Sequence, residues 1–213
     1  TGPTNIAEAR LDFIRGDRSN EGSNFGFRIR STRLGDFVHS GPVFVGSPEQ
    51  GWPDEAPFPT GGNSYSAFRE GSAENRTQIV YIGANDGMLH GFNASTGEEE
   101  LAYIPNSLFS TNSNEGLHYL ADPSYVHRYY VDLEPVVGDA YVKTDAAQSG
   151  ADWHTVLIGG LRAGGKGYFA LDITDPSQFT ESKADDIVMW EFTSDDDPDL
   201  GHSYGVPVIA LME

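Results

Sequence analysis

The stretch QIVYIGANDGMLHGFNASTGEEELAYIP, residues 78–105, decides the fold. Ile79–Ile82 is a β-branched and aromatic run of the kind that forms strands. Asn85-Asp86-Gly87 follows, and Asp-Gly between two apolar runs predicts a tight hairpin. The expected turn is type I′, with positive φ at both central residues, which Gly adopts freely and Asp tolerates. Met88–Asn93 is the return strand, with Met88, His90 and Phe92 on one face and Leu89 and Gly91 on the other. Asn93-Ala94-Ser95-Thr96-Gly97 is a second turn in which Asn93 is placed to bond its own following backbone. Leu101–Ile104 makes a third strand, so the stretch reads as an antiparallel meander.

Working outward, the same pattern recurs. Thr155–Gly159 repeats the apolar run ending in Gly, and Ala163-Gly164-Gly165-Lys166-Gly167 stands where Asn-Asp-Gly stood. Tyr168–Asp172 matches the return strand, Asp172-Ile173-Thr174-Asp175-Pro176 the second turn, and Ile187–Phe192 the closing strand. Pro42-Val43, Pro135-Val136 and Pro207-Val208 each open an apolar run after Gly or polar residues. Proline is tolerated at a strand start but not inside a ladder, so in Phe37–Val45 pairing should begin at Val43. Tyr129–Tyr141 also has strand character, with Pro135 in its middle. The Pro-Val spacings are unequal, which predicts a repeated unit with loop insertions of different lengths.

The order hydrophobic-Gly, tight turn, return strand, Asn/Asp-x-x-Thr-Gly resembles one blade of a quinoprotein-type β-propeller. More narrowly, Val80–Pro105, and within it Gly83-Ala84-Asn85-Asp86-Gly87-Met88-Leu89-His90, is similar to the signature of the PilY1/PilC family. These are type IV pilus tip-associated proteins whose C-terminal domain is a modified propeller. Leu34-Gly35-Asp36, with Arg28, Arg30 and Arg33 before it, resembles a family segment too, as does His127–Asp132. The arginines are expected to offset nearby carboxylates, and His127–Asp132 to be structural. The resemblance covers about residues 10–213 and implies an all-β fold, a partial, modified propeller of four-stranded antiparallel blades with long loop insertions.

Residues 1–35 are then a lead-in, with a short helix over Ala7–Ile14, Asn5 as its cap and Gly16 ending it. Blades are expected at about 36–105 and about 130–193, with the first strand of a third at 203–213. Two blades and a strand do not close a ring, whose closure is what removes exposed sheet edges. The chain is therefore expected to be a fragment, completed by sequence beyond Glu213. By resemblance its function is that of a pilus-associated adhesin and biogenesis factor at the pilus tip or cell surface. Its implied partners are pilins, other pilus-assembly proteins and a host-surface ligand.

Composition narrows the field. A net charge of −19 argues against nucleic acid and anionic membrane surfaces as partners. No apolar run approaches the roughly 18 residues of a membrane-spanning helix. No signal pattern is visible, so the chain is read as cytosolic or as the mature piece of a secreted protein. Cys is absent, which removes disulfides and thiolate chemistry. It also weakens the main enzymatic rival, a PQQ-type quinoprotein dehydrogenase, many of which carry a vicinal cysteine pair beside the cofactor. A bare propeller scaffold without a ligand is the other alternative.

Two excursions interrupt the strands. Residues 46–77 carry four prolines and the aromatics Trp52, Phe58, Tyr65 and Phe68, which are the candidate contact residues; the loop is expected to pack back on the body. Asn106–His127 is the second, with helical turns at Leu108-Phe109 and Leu117–Leu120. Asp195, Asp197 and Asp199 alternate as the first ligands of a calcium loop do. The rest of that pattern fails, with Leu200 at the turn position and Val206 at the twelfth place. A solvated turn is the plainer reading, and the resemblance implies a family calcium loop downstream of this chain. The six histidines show no metal-type spacing. Gly164-Gly165-Lys166-Gly167 lacks the Ser/Thr and the following helix of a phosphate loop. No Gly-x-Ser-x-Gly elbow is present, so no catalytic set is assigned.

Overall fold

The structure, a computed structural model, describes residues 5–22, 25–71, 73–144 and 148–211. Helix α1 (Ile6–Ile14) starts where Asn5 Oδ1 accepts the Ala7 and Glu8 amides at 2.9 and 3.0 Å. It ends before Gly16, whose φ of +96° suits a residue without a Cβ. The lead-in is organised by Arg30, which is buried. Its guanidinium donates to Glu21 Oε1 at 2.7 Å, to Phe13 O at 2.6 Å and to Asp17 O at 2.7 Å, and lies 3.6 Å from the Phe13 ring centre. Burial opposes ionisation of Glu21, but the bonds from Arg30 and Arg18 outweigh it and hold its carboxyl down at about 2. The parts of the lead-in at 1–4 and 23–24 lie outside the described residues.

Strand β1 (Val43–Val45) is followed by the long excursion, which contains helix α2 (Tyr65–Arg69). Then come β2 (Ile79–Gly83), β3 (Leu89–Asn93) and β4 (Glu99–Tyr103). They form one antiparallel sheet in the order β1-β2-β3-β4. The second sheet repeats it with β5 (Val136–Val142), β6 (Asp152–Gly160), β7 (Gly167–Asp172) and β8 (Val188–Thr193), preceded by a one-turn helix α3 (Ala184–Ile187). The registers correspond: Val43 faces Tyr81, and Val136 faces Ile158. Pro42 and Pro135 therefore hold equivalent places, each just before an innermost strand where no amide is needed. Both outer pairings carry a register shift, between Gly91 and Phe92 and between Ala170 and Leu171.

Four expectations need correction. The Asn85-Asp86-Gly87 turn is not type I′: Gly87 has φ +93° but Asp86 is not left-handed. The Gly87 amide donates to Ala84 O at 3.4 Å and the Ala84 amide to Met88 O at 2.9 Å. That is a three-residue loop with glycine in the left-handed position. Tyr129–Pro135 is not a ladder strand, because tertiary bonds take its polar groups: the Leu133 amide reaches Gly160 O at 3.2 Å. Phe37–Pro42 is unpaired too, with Ser40 Oγ accepting the Gly83 amide at 2.9 Å, in line with pairing that begins at Val43. Ile187 ends α3 rather than starting β8. Residues 203–211 carry no strand pairing, and 212–213 lie outside the described residues.

That last segment is nonetheless docked against the second blade. The Ser203 amide donates to Gly165 O at 3.2 Å on the second blade, as the Val131 amide does to Ala84 O at 3.3 Å on the first. Further on, Ile209 lies against Gly138 of β5. Ser203 and Val131 stand at the same distance before Pro207 and Pro135, but their acceptors differ in place, since Ala84 directly follows β2 whereas Gly165 lies late in the β6–β7 loop. Register matches Pro42 with Pro135. The core is one continuous cluster of both blades, with Tyr81, Leu89, Leu157, Phe169 and Leu171 fully buried. Between the blades, Tyr103 packs 5.0 Å from the Phe169 ring and donates to Glu191 Oε1 at 2.6 Å. The same carboxylate accepts the Asn106 and Ser107 amides at 2.7 and 3.1 Å, which ties β8 to the start of the second excursion.

Candidate interaction surfaces

Antiparallel order places the β1–β2 connection and the β3–β4 turn at one end of the blades, and the β2–β3 turn and β4–β5 connection at the other. The two aromatic excursions thus sit at opposite ends. At the first end, Trp52, Phe58, Tyr65 and Phe68 come together, as a loop folded back on the body. Their common support is Trp153 of β6, with ring centres 5.6, 4.9 and 6.5 Å from Phe58, Tyr65 and Phe68, while Trp52 lies 5.0 Å from Phe58. Tyr65 is buried; the other three are half-buried.

Beneath these rings lies Asp139 of β5, a buried carboxylate. Tyr65 Oη donates to its Oδ2 and Thr155 Oγ1 to its Oδ1, both at 2.6 Å. Gln50 Oε1 accepts the Asp139 amide at 3.0 Å, and Trp52 Nε1 donates to the Asp139 carbonyl at 3.0 Å. Burial first, and the Asp139 carboxylate second, push the Tyr65 hydroxyl well above the ordinary tyrosine range, so it stays protonated as a donor. Arg76 donates to Thr155 Oγ1 at 2.7 Å and to Gly46 O at 2.7 Å, bringing a cation next to this network. Sequence reasoning missed Trp153 and Asp139. The available signal was Asp139 itself, a carboxylate at the centre of an apolar strand.

The opposite end carries Asp36, which accepts from His127 Nε2 at 2.9 Å, and His39, whose Nδ1 lies 2.6 Å from Asp132 Oδ2. Tyr129 stands between the two imidazoles, with ring centres 5.5 Å from His39 and 5.3 Å from His127. Here the two family-like segments meet the hairpin turn. The Gly35 amide donates to Asp86 Oδ2 at 2.7 Å, and the Asn85 amide to Asp36 O at 3.1 Å. Tyr130 N donates to Asn85 Oδ1 at 3.0 Å. A Cβ at Gly35 would stand 2.4 Å from the Asp86 amide nitrogen, so only glycine permits this approach.

A groove of about 650 Å³ runs along the outer rim of the first blade. His90 is buried in its wall, with Nδ1 2.7 Å from Glu99 Oε1 and Nε2 3.1 Å from Asp86 Oδ1. Burial alone would lower the imidazole pKa, but the Asp86 and Glu99 carboxylates together raise it. Asp195, Asp197 and Asp199 lie elsewhere, in an exposed turn after β8. They bond locally, with Asp199 N donating to Asp197 Oδ1 at 2.9 Å and Asp195 N to Thr193 Oγ1 at 3.1 Å. Among the described residues, no three His, Asp or Glu side chains converge on a point that suits a metal ion. No helix among them is long and apolar enough to cross a membrane.

Two four-stranded antiparallel sheets in matching register, with a third inner segment docked beside them, are the repeat of a β-propeller, and that is the class this fold defines. Within that class, the chain belongs to the family described as the PilY1 beta-propeller domain, which matches residues 34–213. A type IV pilus biogenesis factor PilY1 of Pseudomonas aeruginosa (strain PAK) is 45% identical over 206 residues, covering 95% of this chain and 16% of that protein. A PilY1 homologue of Xylella fastidiosa (strain Temecula1) is 42% identical, covering 98% of this chain and 16% of its own length. The crystal structure of the Pseudomonas aeruginosa PilY1 C-terminal domain superposes with a TM-score of 0.54 at 40% identity, covering 78% of this chain and 28% of that one. The chain thus spans about a sixth of the curated relatives that it matches.

Proposed function

We propose that these blades act in type IV pilus biogenesis and adhesion at the pilus tip or bacterial surface, as a non-catalytic module that contacts pilins and other assembly proteins. One observation supports this above the others. The segments that resemble the pilus family, Leu34-Gly35-Asp36 and Gly83–His90, are bonded to one another at a single corner of the fold. Relatives bearing the name type IV pilus biogenesis factor align over nearly the whole chain. In this proposal Trp52, Phe58 and Phe68 offer the contact surface and Tyr65 is its anchor, since half-buried aromatic rings give contact area at low entropic cost. No cofactor is assigned to these blades in this proposal, and calcium stands as the one candidate, at the loop that the family resemblance implies.

The test is a Trp52→Ala, Phe58→Ala double variant of the parent protein, expressed in a strain lacking the native copy. Pili per cell and surface attachment are counted, and the variant protein is quantified by immunoblot. Reduced piliation or attachment at normal protein level is expected. Wild-type values for both would overturn the assignment of this loop, and loss of the whole domain without any pilus phenotype would overturn the function.

A further inference from the structure

We propose that the outer edge of β4 is a docking site for an extended, lysine- or arginine-bearing segment of a partner polypeptide, which adds to the first blade as a fifth strand. Strand β4 ends the sheet order, so alternate N–H and C=O groups along it point away from β3. No backbone or side-chain group among the described residues bonds the Glu99–Ile104 backbone from that side. Bare edges of this kind are the template for strand addition.

What distinguishes β4 from a merely exposed edge is the groove around it. The 650 Å³ space reaches both faces of the strand: His90 and Phe92 line it on one, Leu101 and Tyr103 on the other. Apolar side chains of other segments line it as well, among them Leu34 and Val188. A strand lying about 4.8 Å from β4 could therefore bury alternate side chains on both faces instead of leaving them in water. The register shift at Gly91/Phe92 leaves Glu100 as the extra residue, so the regular part of the edge is Leu101–Tyr103.

Charge selects the occupant. Glu98, Glu99 and Glu100 stand in sequence at one end of the edge, and Asp86, Glu99, Glu100 and Glu181 all line the groove. Two arginines also line it: Arg15, whose charge is taken up by Glu181, and Arg33. The balance remains acidic, in a chain of net charge −19. A second copy of this chain paired in parallel register would set its own three glutamates opposite these, where like charges across strands are destabilising. A basic strand meets no such penalty. The edge geometry carries this independently of any role in pili.

The test uses the 213-residue chain and an octapeptide of alternating Lys and Val, with a Lys-block/Val-block peptide and an alternate-amide N-methylated peptide as controls. Calorimetry reads affinity, and hydrogen exchange reads the amides of residues 99–104. The alternating peptide is expected to bind, to slow exchange at 99–104, and to lose about tenfold in affinity in Glu98→Lys, Glu100→Lys at unchanged melting temperature. The proposal is overturned if the alternating peptide fails to bind, or if either control binds equally well. It is also overturned if bound peptide leaves exchange at 99–104 unaltered, or if sedimentation shows a dimer that already protects those amides.

Discussion

Substituting Gly83 by alanine tests how the first blade meets the chain that leads into the second. A Cβ at Gly83 would lie 2.4 Å from the Val131 carbonyl oxygen and 2.9 Å from Val131 Cγ1. Because the nearest atom is backbone, the clash is relieved only by moving residues 130–131 away. That movement strains the Val131 amide bond to Ala84 O, 3.3 Å long, and the Tyr130 amide bond to Asn85 Oδ1, 3.0 Å long. Overpacking costs about 1–3 kcal/mol, and each weakened bond adds about 1 kcal/mol. The sum is roughly 3–5 kcal/mol, which for a chain of this size lowers Tm by roughly 6–20 °C. Gly51→Ala, where a Cβ meets nothing within 4 Å, is the control and is expected to stay within about 0.5 kcal/mol of wild type. Thermal unfolding followed by circular dichroism reads both. A Gly83→Ala variant melting within 2 °C (roughly the effect of 0.5–1 kcal/mol) of Gly51→Ala would refute the close approach.

Three further outcomes follow from the same geometry. His90 has its pKa raised in the folded state, so its contribution is fully present below the unfolded value of about 6.5 and is lost as pH rises through the folded value. The Tm gap between wild type and His90→Gln should therefore narrow as pH rises from about 6.5 through the folded value; a gap that widens would contradict the assignment. Glu191→Ala removes the acceptor of Tyr103 Oη and of two amides, and should cost about 2–4 kcal/mol in denaturant unfolding. Asp197→Ala, and calcium titration of the wild type, should each leave Tm within about 1 °C, whereas a calcium-induced rise abolished by Asp197→Ala would establish a metal site there.

Local order was legible wherever it was set by neighbours in sequence. Asn5 before an apolar helical run gave the start of α1, and Asn93 does bond the Ser95 and Thr96 amides at 3.0 and 3.2 Å as its position implied. Pro42 and Pro135 marked the inner strands because proline has no amide to pair. The illegible parts depend on partners far along the chain. Asp-Gly serves both a two-residue type I′ loop and the three-residue loop found here. The choice is settled by bonds from Gly35, Asp36 and Tyr130 onto Asn85 and Asp86. Trp52 and Tyr65 were visible as aromatics, but nothing local shows that Asp139, some 70–90 residues later, is what they fold onto. The groove at β4 was equally hidden, since its walls come from α1, the Leu34 segment and α3.

The most direct check on two equivalent blades is the set of cross-strand contacts in an NMR spectrum of the isotope-labelled chain. Facing pairs should appear at Val43–Tyr81 and Val80–Phe92 in one sheet and, at the equivalent places, at Val136–Ile158 and Leu157–Leu171 in the other. Helical contacts across 79–104, or inner strands after Pro42 and Pro135 paired out of step with one another, would contradict it.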